Sequence, residues 1–437
     1  MIEIDYIIHG DYLVTMSEDS PPIIDGAVGV LAGKIIDIGK HCDLINKYVP
    51  LETIKGGVIM PGLINTHCHA AMVYFRGYAD DLHLMDWLEK YIWPAESKWL
   101  SSEFVSDAVE LAAFEMLSAG ITTYSDMYFY QSSAAKSVKK LGIRAVLASG
   151  VIDFPTKTTR GAADCIDNAI RFMQDFKGDP MITPSIALHS PYTCCPDTYI
   201  KSKEAAIHHN ALLQTHLSET QWEVDEVLKK YSRRPVQLLD YYNILDNNAL
   251  ASHCVWLDDM ELDIIAKTGT GVSHCLNSNL KLASGIARVP EMLDKGIKVS
   301  LGTDGAASNN NLDILNEMST AARLHKAMVN DSAALKAKDA MAMATINGAK
   351  VLGLSDKIGS IEKGKAADII IASLSKPHLA PIYDIYSHIV YSMNSQDIKT
   401  VMVDGKVLIR EGRLASGAGG EIIDKANYWG KRIMSEK

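Results

Sequence analysis

The sequence feature that most constrains the fold is an alternation of short apolar runs with longer helical patterns between residues 60 and 355. Each run has the length of a β-strand and precedes a segment with helical periodicity, which is typical of βα units around a parallel sheet. Eight such runs occur, at residues 58–69, 121–127, 143–151, 183–189, 211–216, 249–253, 271–274 and 298–304. Eight βα units predict an α/β fold of the (β/α)8 TIM-barrel type, with a doubly wound parallel sheet as the alternative.

Both ends of the chain have a different texture, with short β-like runs separated by turns rich in Gly and Asp. Near the C-terminus, residues 399–403 and 406–409 predict a hairpin that turns at Asp404 and Gly405. We therefore predict that the two ends build one smaller unit. The expected domains are residues 1–59 as the N-terminal part of a β-sandwich, residues 60–355 as a TIM-barrel catalytic domain, and residues 356–437 as the C-terminal part of the sandwich.

The composition narrows the class of protein. The 437 residues carry a formal net charge of −10, whereas a non-specific nucleic-acid surface needs a cationic footprint. Seven cysteines at irregular spacing favour free thiols in a reducing, cytoplasmic compartment. Glu3 and Asp5 stand where a signal peptide is positively charged, and no apolar run approaches the roughly 20 residues of a membrane helix. We expect a cytoplasmic homo-oligomer that acts on a small molecule, with no nucleic-acid or membrane partner.

Two histidines separated by one residue, His67 and His69, lie at the end of the first run. Alternate side chains of an extended strand share one face, so both imidazoles point the same way while Cys68 points oppositely. Two adjacent imidazoles can supply two nitrogen ligands to a zinc-class ion. Such a pair is also compatible with two hydrogen-bonded structural histidines, so the interpretation depends on further ligands that converge on the same place.

The other strand ends supply such ligands. In a TIM barrel the carboxyl ends of the strands surround one pocket, where catalytic residues collect. Five of the eight runs end on a histidine, although the chain has only 14 histidines, and the eighth run ends on an aspartate. The strand-end residues are His67, His69, His189, His216, His253, His274 and Asp304. This clustering predicts a metal site rather than separate structural histidines.

Four of these residues form a ligand set for one catalytic metal. Three imidazoles and one carboxylate suit zinc, with iron(II) or manganese as alternatives. A two-metal site of this barrel type usually has a bridging lysine at the end of the fourth strand, and residues 185–189 contain none. We therefore expect one zinc ion per subunit. Its predicted ligands are His67, His69, His216 and Asp304.

Glu219 follows His216 by three residues and is the natural proton carrier. Zinc lowers the pKa of bound water to roughly 7, and a nearby carboxylate can take the proton and pass it on. Glu219 is alternatively an acid favoured by the dipole at a helix N-terminus, and the two roles are compatible. His253 would orient the attacking water or stabilise charge on it, whereas His274 is given no role.

Several segments of the chain have the character of known motifs. They are PGLINTHCHAAM at residues 61–72, WPAE at 93–96, HSPY at 189–192, HLSET at 216–220, SNLKLASG at 278–285, GTDGAASNN at 302–310 and GKAAD at 364–368. Together they resemble the amidohydrolase superfamily and, within it, the branch of 5-methylthioadenosine/S-adenosylhomocysteine deaminases. The similarity extends over nearly the whole chain.

This resemblance implies a hydrolytic deaminase. A metal-activated water would replace the 6-amino group of an adenine nucleoside by a carbonyl and release ammonia. The implied substrates are 5′-methylthioadenosine, S-adenosylhomocysteine and adenosine. Glu219 would move a proton from water to the ring nitrogen, His253 would polarise the water, and Asp304 would pass a proton to the leaving amine.

The resemblance also implies a set of substrate contacts. Glu96 would bind the ribose hydroxyls, because a carboxylate can accept two hydrogen bonds at once. Trp87 and His189 would line the nucleoside pocket, and Ser308 would contact the region of the base. Arg160 would meet the amino-acid tail of S-adenosylhomocysteine.

One departure and several alternatives bear on the substrate. Some similar enzymes carry an arginine just before the glycine that ends the third strand, where this chain has Ser149. The loss of a guanidinium favours methylthioadenosine, adenosine or 5′-deoxyadenosine over S-adenosylhomocysteine.

Several alternative functions share much of this sequence pattern. Deaminases of other adenosine derivatives, such as aminodeoxyfutalosine, are among them. A triazine or chlorotriazine hydrolase shares the metal set, although Glu96 favours a ribose-bearing substrate, and a non-catalytic scaffold would lack ligands that are complete here.

Overall fold

The computed structural model describes residues 1–18 and 20–436. Strands from this part of the chain are arranged in two sheets, one parallel and one mixed. The strands are β1 (Ile2–Leu13), β2 (Ile23–Leu31), β3 (Lys34–Lys40), β4 (Tyr48–Pro61), β5 (Leu63–Cys68), β6 (Ile121–Tyr128), β7 (Arg144–Val151), β8 (Ile182–Leu188), β9 (Leu213–Leu217), β10 (Ala249–His253), β11 (Gly271–His274), β12 (Val299–Leu301), β13 (Ile369–Ala372), β14 (Ile398–Val403), β15 (Lys406–Arg410) and β16 (Arg413–Leu414).

Strands β5 to β12 form the parallel sheet, in which each strand pairs with the next one along the chain. The first and last strands also meet, because the Asp304 N–H donates to the His67 carbonyl at 3.0 Å and the Thr66 hydroxyl donates to the Leu301 carbonyl at 2.9 Å. Each of the eight predicted runs overlaps one of these strands. The predicted TIM barrel is confirmed, and a doubly wound sheet, whose strand order reverses, is excluded.

Helices alternate with the barrel strands, and local signals fix several of their ends. Ser101 accepts a hydrogen bond from the Phe104 N–H where a long helix begins at residue 102, and Gly142 ends the following helix with a left-handed φ of 80°. The helices are α1 (His41–Ile45), α2 (Leu84–Trp87), α3 (Trp93–Trp99), α4 (Ser102–Ser118), α5 (Gln131–Leu141), α6 (Ala162–Asp175), α7 (Pro196–His209), α8 (Gln221–Tyr231), α9 (Pro235–Tyr241), α10 (Asp259–Thr268), α11 (Leu276–Lys281), α12 (Val289–Asp294), α13 (Ala306–Asn309), α14 (Ile314–Met328), α15 (Ala337–Met343), α16 (Ile346–Val351), α17 (Ile385–Ser387) and α18 (Gly419–Ser435). Short 3-10 or π segments are Ala70–Phe75, Leu88–Ile92, Pro377–Leu379, His388–Ser392 and Ser395–Asp397.

The mixed sheet takes its strands from both ends of the chain, in the order β16-β15-β14-β13-β4-β1-β2-β3. Strand β1 runs parallel to β4 and antiparallel to β2, and β13 runs antiparallel to β4. The predicted hairpin is present as β14 and β15, and its turn residues Asp404 and Gly405 have φ values of 49° and 75°. The prediction that both chain ends build one β-rich unit is therefore confirmed.

Two contacts fix the mixed sheet against the barrel. Gly62 lies between β4 and β5 and leaves no room for a side chain, since a Cβ atom there would lie 2.0 Å from the Thr122 hydroxyl. The buried guanidinium of Arg144 in β7 donates to both carboxylate oxygens of Asp368, at 2.9 and 3.1 Å. Removing one partner of such a buried pair typically costs about 3–5 kcal/mol. The junction of the two sheets is thus held by close packing and by a buried ion pair.

The last helix departs from the β-rich texture expected for residues 356–437. Helix α18 packs on α4 through Trp429, whose indole N–H donates to Asp107 at 3.1 Å and whose ring lies 5.1 Å from the ring of Phe104. Ile422, Trp429 and Ile433 form its buried side. The domain boundaries after residues 59 and 355 stay predictions. Within the residues described, no helix is long and apolar enough to span a membrane.

Candidate metal centre and substrate cavity

The carboxyl ends of β5, β9 and β12 bring three histidines and one aspartate together. His69 Nε2 lies 3.3 Å from Asp304 Oδ1 and 3.3 Å from His216 Nε2. His67 Nε2 lies 3.6 Å from the same Asp304 oxygen. One ring nitrogen of each histidine lies within 4.8 Å of those of the other two. The four residues predicted as metal ligands therefore converge, and we call them the metal cluster.

Backbone carbonyls orient two of the three rings. His69 Nδ1 lies 2.6 Å from the Met127 carbonyl oxygen, and His216 Nδ1 lies 2.6 Å from the His189 carbonyl oxygen. A carbonyl only accepts hydrogen bonds, so each Nδ1 carries the proton and each Nε2 presents its lone pair to the cluster. His67 differs, because neither of its buried ring nitrogens has a hydrogen-bond partner among the described residues. Buried polar atoms of this kind fit a bound ion.

Burial and the close contacts set the charges of the cluster. Burial lowers the pKa of His67 to about 4 and takes the pKa of His216 well below its ordinary range. Burial also pushes the pKa of Asp304 upwards, but its contacts with His67 and His69 outweigh this and hold it well below its usual value. Against the effect of burial, Asp304 raises the pKa of His69 to about 9, so His69 Nε2 presents a lone pair to the cluster only when a metal ion takes the place of the proton beside Asp304. The ionised carboxylate of Asp304 favours a positive charge beside it, and the imidazole nitrogens supply neutral donors. A zinc-class dication fits this donor set.

Hydroxyl groups anchor the far side of the Asp304 carboxylate. Its Oδ2 accepts hydrogen bonds from Ser278 Oγ at 2.6 Å and from Ser308 Oγ at 3.0 Å, while the Gly305 N–H donates to Oδ1 at 2.8 Å. Asp304 itself has a left-handed φ of 61°, which is costly for a residue with a side chain. These contacts hold the carboxylate with Oδ1 towards the histidines.

Glu219 and His253 border the metal cluster. His253 Nε2 lies 3.7 Å from Glu219 Oε2, and the His253 ring lies 5.4 Å from the rings of His67 and His216. The Asn279 side-chain oxygen lies 2.9 Å from His253 Nδ1, so His253 Nε2 is the nitrogen that faces Glu219. Burial raises the pKa of Glu219, and His253 only partly offsets this. A carboxyl group whose pKa is raised by burial holds a proton more readily than a free one, which suits a group that takes a proton and returns it.

Glu223 contributes to the site, although the sequence analysis gives it no role. Its carboxylate accepts the Ser218 N–H at 2.9 Å and the Glu219 N–H at 2.8 Å. Ser218 has a left-handed φ of 50°, so these bonds hold a strained turn that positions Glu219. Burial raises the pKa of Glu223 to about 7. The sequence feature that could have identified Glu223 is its position in the first turn of α8, where a carboxylate can accept hydrogen bonds from preceding N–H groups.

A cavity of about 500 Å³ opens from the metal cluster and is also lined by Glu219 and His253. Its volume lies in the range typical of small-molecule sites. Much of its lining comes from residues 84–100 and 152–158, whose cavity-facing side chains we call the outer wall. The outer wall consists of Leu84, Trp87, Leu88, Ile92, Trp93, Glu96, Ser97, Leu100, Ile152, Phe154, Pro155, Thr156, Lys157 and Thr158. It is mainly apolar, and Trp93 and Phe154 connect its two segments with ring centroids 6.2 Å apart.

Four of the five predicted substrate residues line this cavity, namely Trp87, Glu96, His189 and Ser308. The Tyr128 hydroxyl donates to the Glu96 carboxylate at 2.5 Å. Burial raises the pKa of Glu96 to about 7, and the Tyr128 hydrogen bond opposes that rise. The indole N–H of Trp87 donates a hydrogen bond to the Ala79 carbonyl at 3.0 Å, so Trp87 lines the cavity with the apolar part of its ring. Burial lowers the pKa of His189 to about 4.

The fifth predicted substrate residue, Arg160, is not brought to the cavity. Its side chain is 92% exposed, and its guanidinium and backbone N–H both bind the carboxylate of Asp164 at the start of α6. A different cation, Lys157, lines the cavity and donates to the Lys98 carbonyl at 3.1 Å. The sequence did not indicate Lys157, because a loop has no periodicity that fixes the direction of its side chains.

His274 lies behind the site rather than in it. Its Nε2 lies 3.1 Å from His325 Nε2 of α14, and burial lowers the pKa of both residues. Two neutral imidazoles can pair in this way when one donates and the other accepts. The pair therefore connects β11 to a barrel helix.

Comparisons with known sequences give one family. The model of the amidohydrolase family matches residues 58–408. The chain is 49% identical to a 5-methylthioadenosine/S-adenosylhomocysteine deaminase of Thermodesulfovibrio yellowstonii, over 98% of this chain and 99% of that protein. It is 43% identical to a 5′-deoxyadenosine deaminase of Methanosarcina acetivorans, over 99% of both chains.

Solved structures show the same architecture. An adenosine deaminase from Xanthomonas campestris with bound zinc superposes with a TM-score of 0.98 at 33% identity, covering 99% of both chains. An atrazine chlorohydrolase from Arthrobacter aurescens complexed with zinc superposes with a TM-score of 0.90 at 22% identity, covering 97% of this chain and 100% of the other. At that lower identity the likeness concerns the fold alone.

Proposed function

This chain belongs to the amidohydrolase family, and from that premise we propose that it is a metal-dependent hydrolytic deaminase of adenine nucleosides. Water forms a bond to C6 of the adenine ring, the C6–N bond breaks, and ammonia leaves a 6-carbonyl product. The observation that carries the proposal is one cavity that joins the metal cluster and Glu219 to the carboxylate of Glu96. The reaction class predicted from the sequence, hydrolysis of a C–N bond, is confirmed by relatives that cover nearly the whole chain.

We propose that the metal cluster holds one zinc ion. The two oriented Nε2 atoms, the unpartnered ring of His67 and the ionised carboxylate of Asp304 fit that ion, with iron(II) or manganese as alternatives. When bound, zinc lowers the pKa of a water molecule to roughly 7 and so supplies a nucleophile at neutral pH. The protein's own part is to hold the four ligands in place and to move the protons.

Glu219 is the proton carrier in this scheme. Its carboxylate takes a proton from the attacking water and gives it to the ring nitrogen beside C6. His253, 3.7 Å from Glu219, orients the water through the Nε2 atom that Asn279 leaves free. Asp304, held by two serine hydroxyls, takes the second proton of the added water from the oxygen now bonded to C6 and passes it to the amine, which leaves as ammonia.

The outer wall binds the sugar. Glu96 accepts hydrogen bonds from the two ribose hydroxyls, and Tyr128 keeps its carboxylate in place. Trp87 packs on the nucleoside with its apolar ring, because its N–H is already bonded to the backbone. His189 and Ser308 line the part of the cavity nearest the metal cluster.

The 5′ substituent meets a mostly apolar surface. Leu84, Leu88 and Phe154 contribute to it, and Lys157 is the one lysine or arginine among the described lining residues. A methylthio group or a 5′-deoxy carbon gains from apolar contact, whereas a zwitterionic amino-acid tail loses hydration and finds a single exposed cation. We therefore rank 5′-methylthioadenosine and 5′-deoxyadenosine above S-adenosylhomocysteine.

Hydrolysis of a triazine or chlorotriazine is the second candidate for the same site. A triazine has no ribose, so it would leave the Glu96 carboxylate without the two hydroxyl donors that it is placed to accept. Because the Glu96 carboxylate lines the cavity, the site favours a nucleoside over a triazine as its substrate.

A substrate panel tests the proposal. Purified protein with zinc is incubated separately with 5′-deoxyadenosine, 5′-methylthioadenosine, adenosine, S-adenosylhomocysteine and a chlorotriazine, while ammonia or chloride release and the adenine absorbance are followed. We expect ammonia release and loss of adenine absorbance with the nucleosides. Turnover of the chlorotriazine alone would overturn the nucleoside assignment.

Cellular setting and assembly belong to the same proposal. All seven cysteines are free thiols, which supports a reducing, cytoplasmic compartment. We also propose a homo-oligomer, and light scattering coupled to size-exclusion chromatography measures its mass directly.

A further inference from the structure

Glu317 in α14 is a fully buried carboxylate to which the proposed reaction gives no role. It does not line the substrate cavity. Its Oε1 accepts hydrogen bonds from Asn277 Nδ2 at 2.8 Å and from Asn309 Nδ2 at 2.7 Å, and its Oε2 accepts the Asn277 backbone N–H at 3.2 Å. Asn277 belongs to α11, which follows β11, and Asn309 belongs to α13, which follows β12. The carboxylate therefore bridges the segments that leave two neighbouring barrel strands.

The two bridged segments carry the hydroxyl groups that hold Asp304. Ser278 directly follows Asn277, and Ser308 directly precedes Asn309. The two serine hydroxyls donate to Asp304 Oδ2 at 2.6 and 3.0 Å, and they lie 2.9 Å from each other. A shift of one segment against the other would therefore change the orientation of the Asp304 carboxylate.

Asn309 makes a further contact that reaches the backbone of Asp304. An amide NH2 group has two hydrogens, and Asn309 Nδ2 donates one to Glu317 and the other to the Thr303 carbonyl at 2.7 Å. Thr303 immediately precedes Asp304, whose left-handed φ of 61° is costly for a residue with a side chain. Through Asn309, Glu317 thus also supports the strained backbone from which the Asp304 side chain projects.

We propose that Glu317 is a positioning residue for the proton transfer to the leaving amine. It holds the two serine-bearing segments together, so that the Asp304 carboxylate stays aimed at the amine. The inference rests on the proposed deaminase function, and Glu317 itself exchanges no proton with the substrate. Residues that orient a metal-ligating group typically contribute about 10- to 100-fold to activity.

The charge state of Glu317 sets the conditions of the test. Burial raises the pKa of Glu317 to about 8, and the hydrogen bonds from Asn309 and Asn277 oppose this rise. At about pH 9 the group is a carboxylate, which only accepts hydrogen bonds. In Glu317→Gln one of the two oxygens becomes an NH2 group that meets an N–H donor, so at least one of the three hydrogen bonds is lost.

Two leaving groups test the inference. Wild type and Glu317→Gln, both loaded with zinc, are assayed at about pH 9 with 5′-deoxyadenosine and with its 6-chloro analogue, which releases chloride and needs no proton on its leaving group. We expect kcat per bound zinc to fall about tenfold with the 6-amino substrate and by less than about twofold with the 6-chloro substrate. An equal loss with both substrates, or no loss with either, would overturn the inference.

Glu261→Gln is the matched control. Glu261 is also fully buried and also accepts three N–H donors, from Arg234 at 2.8 Å, Val236 at 3.3 Å and Asp258 at 3.2 Å. None of these four residues lines the cavity. The control should lower the unfolding temperature but leave the ratio of the two kcat values at its wild-type value. A ratio that shifts as much as in Glu317→Gln would show a general loosening of the barrel and would overturn the inference.

A double-mutant cycle with Ser278→Ala needs only the 6-amino substrate. If Glu317 acts through the serine contacts of Asp304, the double variant should lose little more kcat than the more damaged single variant. Losses that multiply would overturn this route. Asn277→Ala shortens the bridge from its other end and should give the same selective loss, so it serves where Glu317→Gln does not fold. Absence of ammonia release by the wild type would instead remove the deaminase function itself, which distinguishes the two failures.

Discussion

The metal cluster and the outer wall line the same cavity but are built in different ways. The residues of the cluster stand at strand ends, and second contacts fix them: carbonyl oxygens for His69 and His216, serine hydroxyls for Asp304. The outer wall comes from a helical segment and a loop, and it is mostly apolar, with Glu96 and Lys157 as its charged groups. Strand ends held by the barrel determine the chemistry, while the connecting segments determine which nucleoside fits.

The variant Glu219→Gln should distinguish most clearly between the catalytic role of the metal cluster and the substrate-binding role of the outer wall. The amide keeps the shape of the side chain but cannot carry the proton, so kcat for 5′-deoxyadenosine should fall by at least about 100-fold. Zinc content and KM should change little, because the cluster and the outer wall are untouched. Elemental analysis and steady-state kinetics measure both quantities. An unchanged kcat with zinc bound would remove Glu219 from the mechanism.

Glu223→Gln tests whether the turn that positions Glu219 limits the reaction. An amide has one acceptor oxygen where the carboxylate has two, so either the Ser218 or the Glu219 N–H loses its partner. We expect kcat to fall about 10- to 100-fold, as for other residues that orient catalytic groups. Glu226→Gln on the exposed side of the same helix is the matched control. A loss of thermal stability without a change in kcat would make Glu223 a structural residue only.

The pH dependence of KM isolates the outer wall. Burial raises the pKa of Glu96 to about 7, so its carboxylate is protonated below that pH and loses acceptor capacity for the ribose hydroxyls. If only the ionised form binds well, KM should rise up to about tenfold between roughly pH 8 and pH 6. Tyr128→Phe removes a hydrogen bond that lowers this pKa, so the rise should begin at a higher pH. A KM that does not depend on pH in either protein would contradict the role of Glu96.

Lys157→Ala should have the smallest effect and a selective one. An exposed cation contributes only about 0.2–1 kcal/mol to an ion pair, so kcat/KM for S-adenosylhomocysteine should fall by no more than about fivefold. The value for 5′-methylthioadenosine should stay the same, since that substrate has no carboxylate. Arg160→Ala is the control and should change neither value, because Arg160 is bound to Asp164 at the surface. A selective loss in Arg160→Ala would instead place Arg160 at the substrate tail.

The metal cluster was predictable from the sequence because strand periodicity fixes side-chain direction. His67 and His69 share a face by alternation, and the βα repeat places His216 and Asp304 at the same end of the barrel. The hairpin at Asp404 and Gly405 followed from turn chemistry in the same way.

The outer wall was less predictable because loops and short helices follow no such period. The sequence predicts Arg160 at the substrate tail, but an ion pair with Asp164 four residues later holds its side chain at the surface. Lys157, three residues earlier, turns to the cavity. The sequence predicts a β-rich texture for residues 356–437 and does not predict helix α18. This helix is stabilised by tertiary contacts with α4, which the sequence of one segment does not reveal.

The most direct test of the central claim is a zinc titration of metal-free protein, in which ammonia release from 5′-deoxyadenosine and bound zinc are measured on the same samples. We predict that activity and bound zinc rise together and that both reach a plateau at one zinc per chain. Full activity without bound metal, or a plateau in activity only at two zinc ions per chain, would contradict a single-metal deaminase centred on His67, His69, His216 and Asp304.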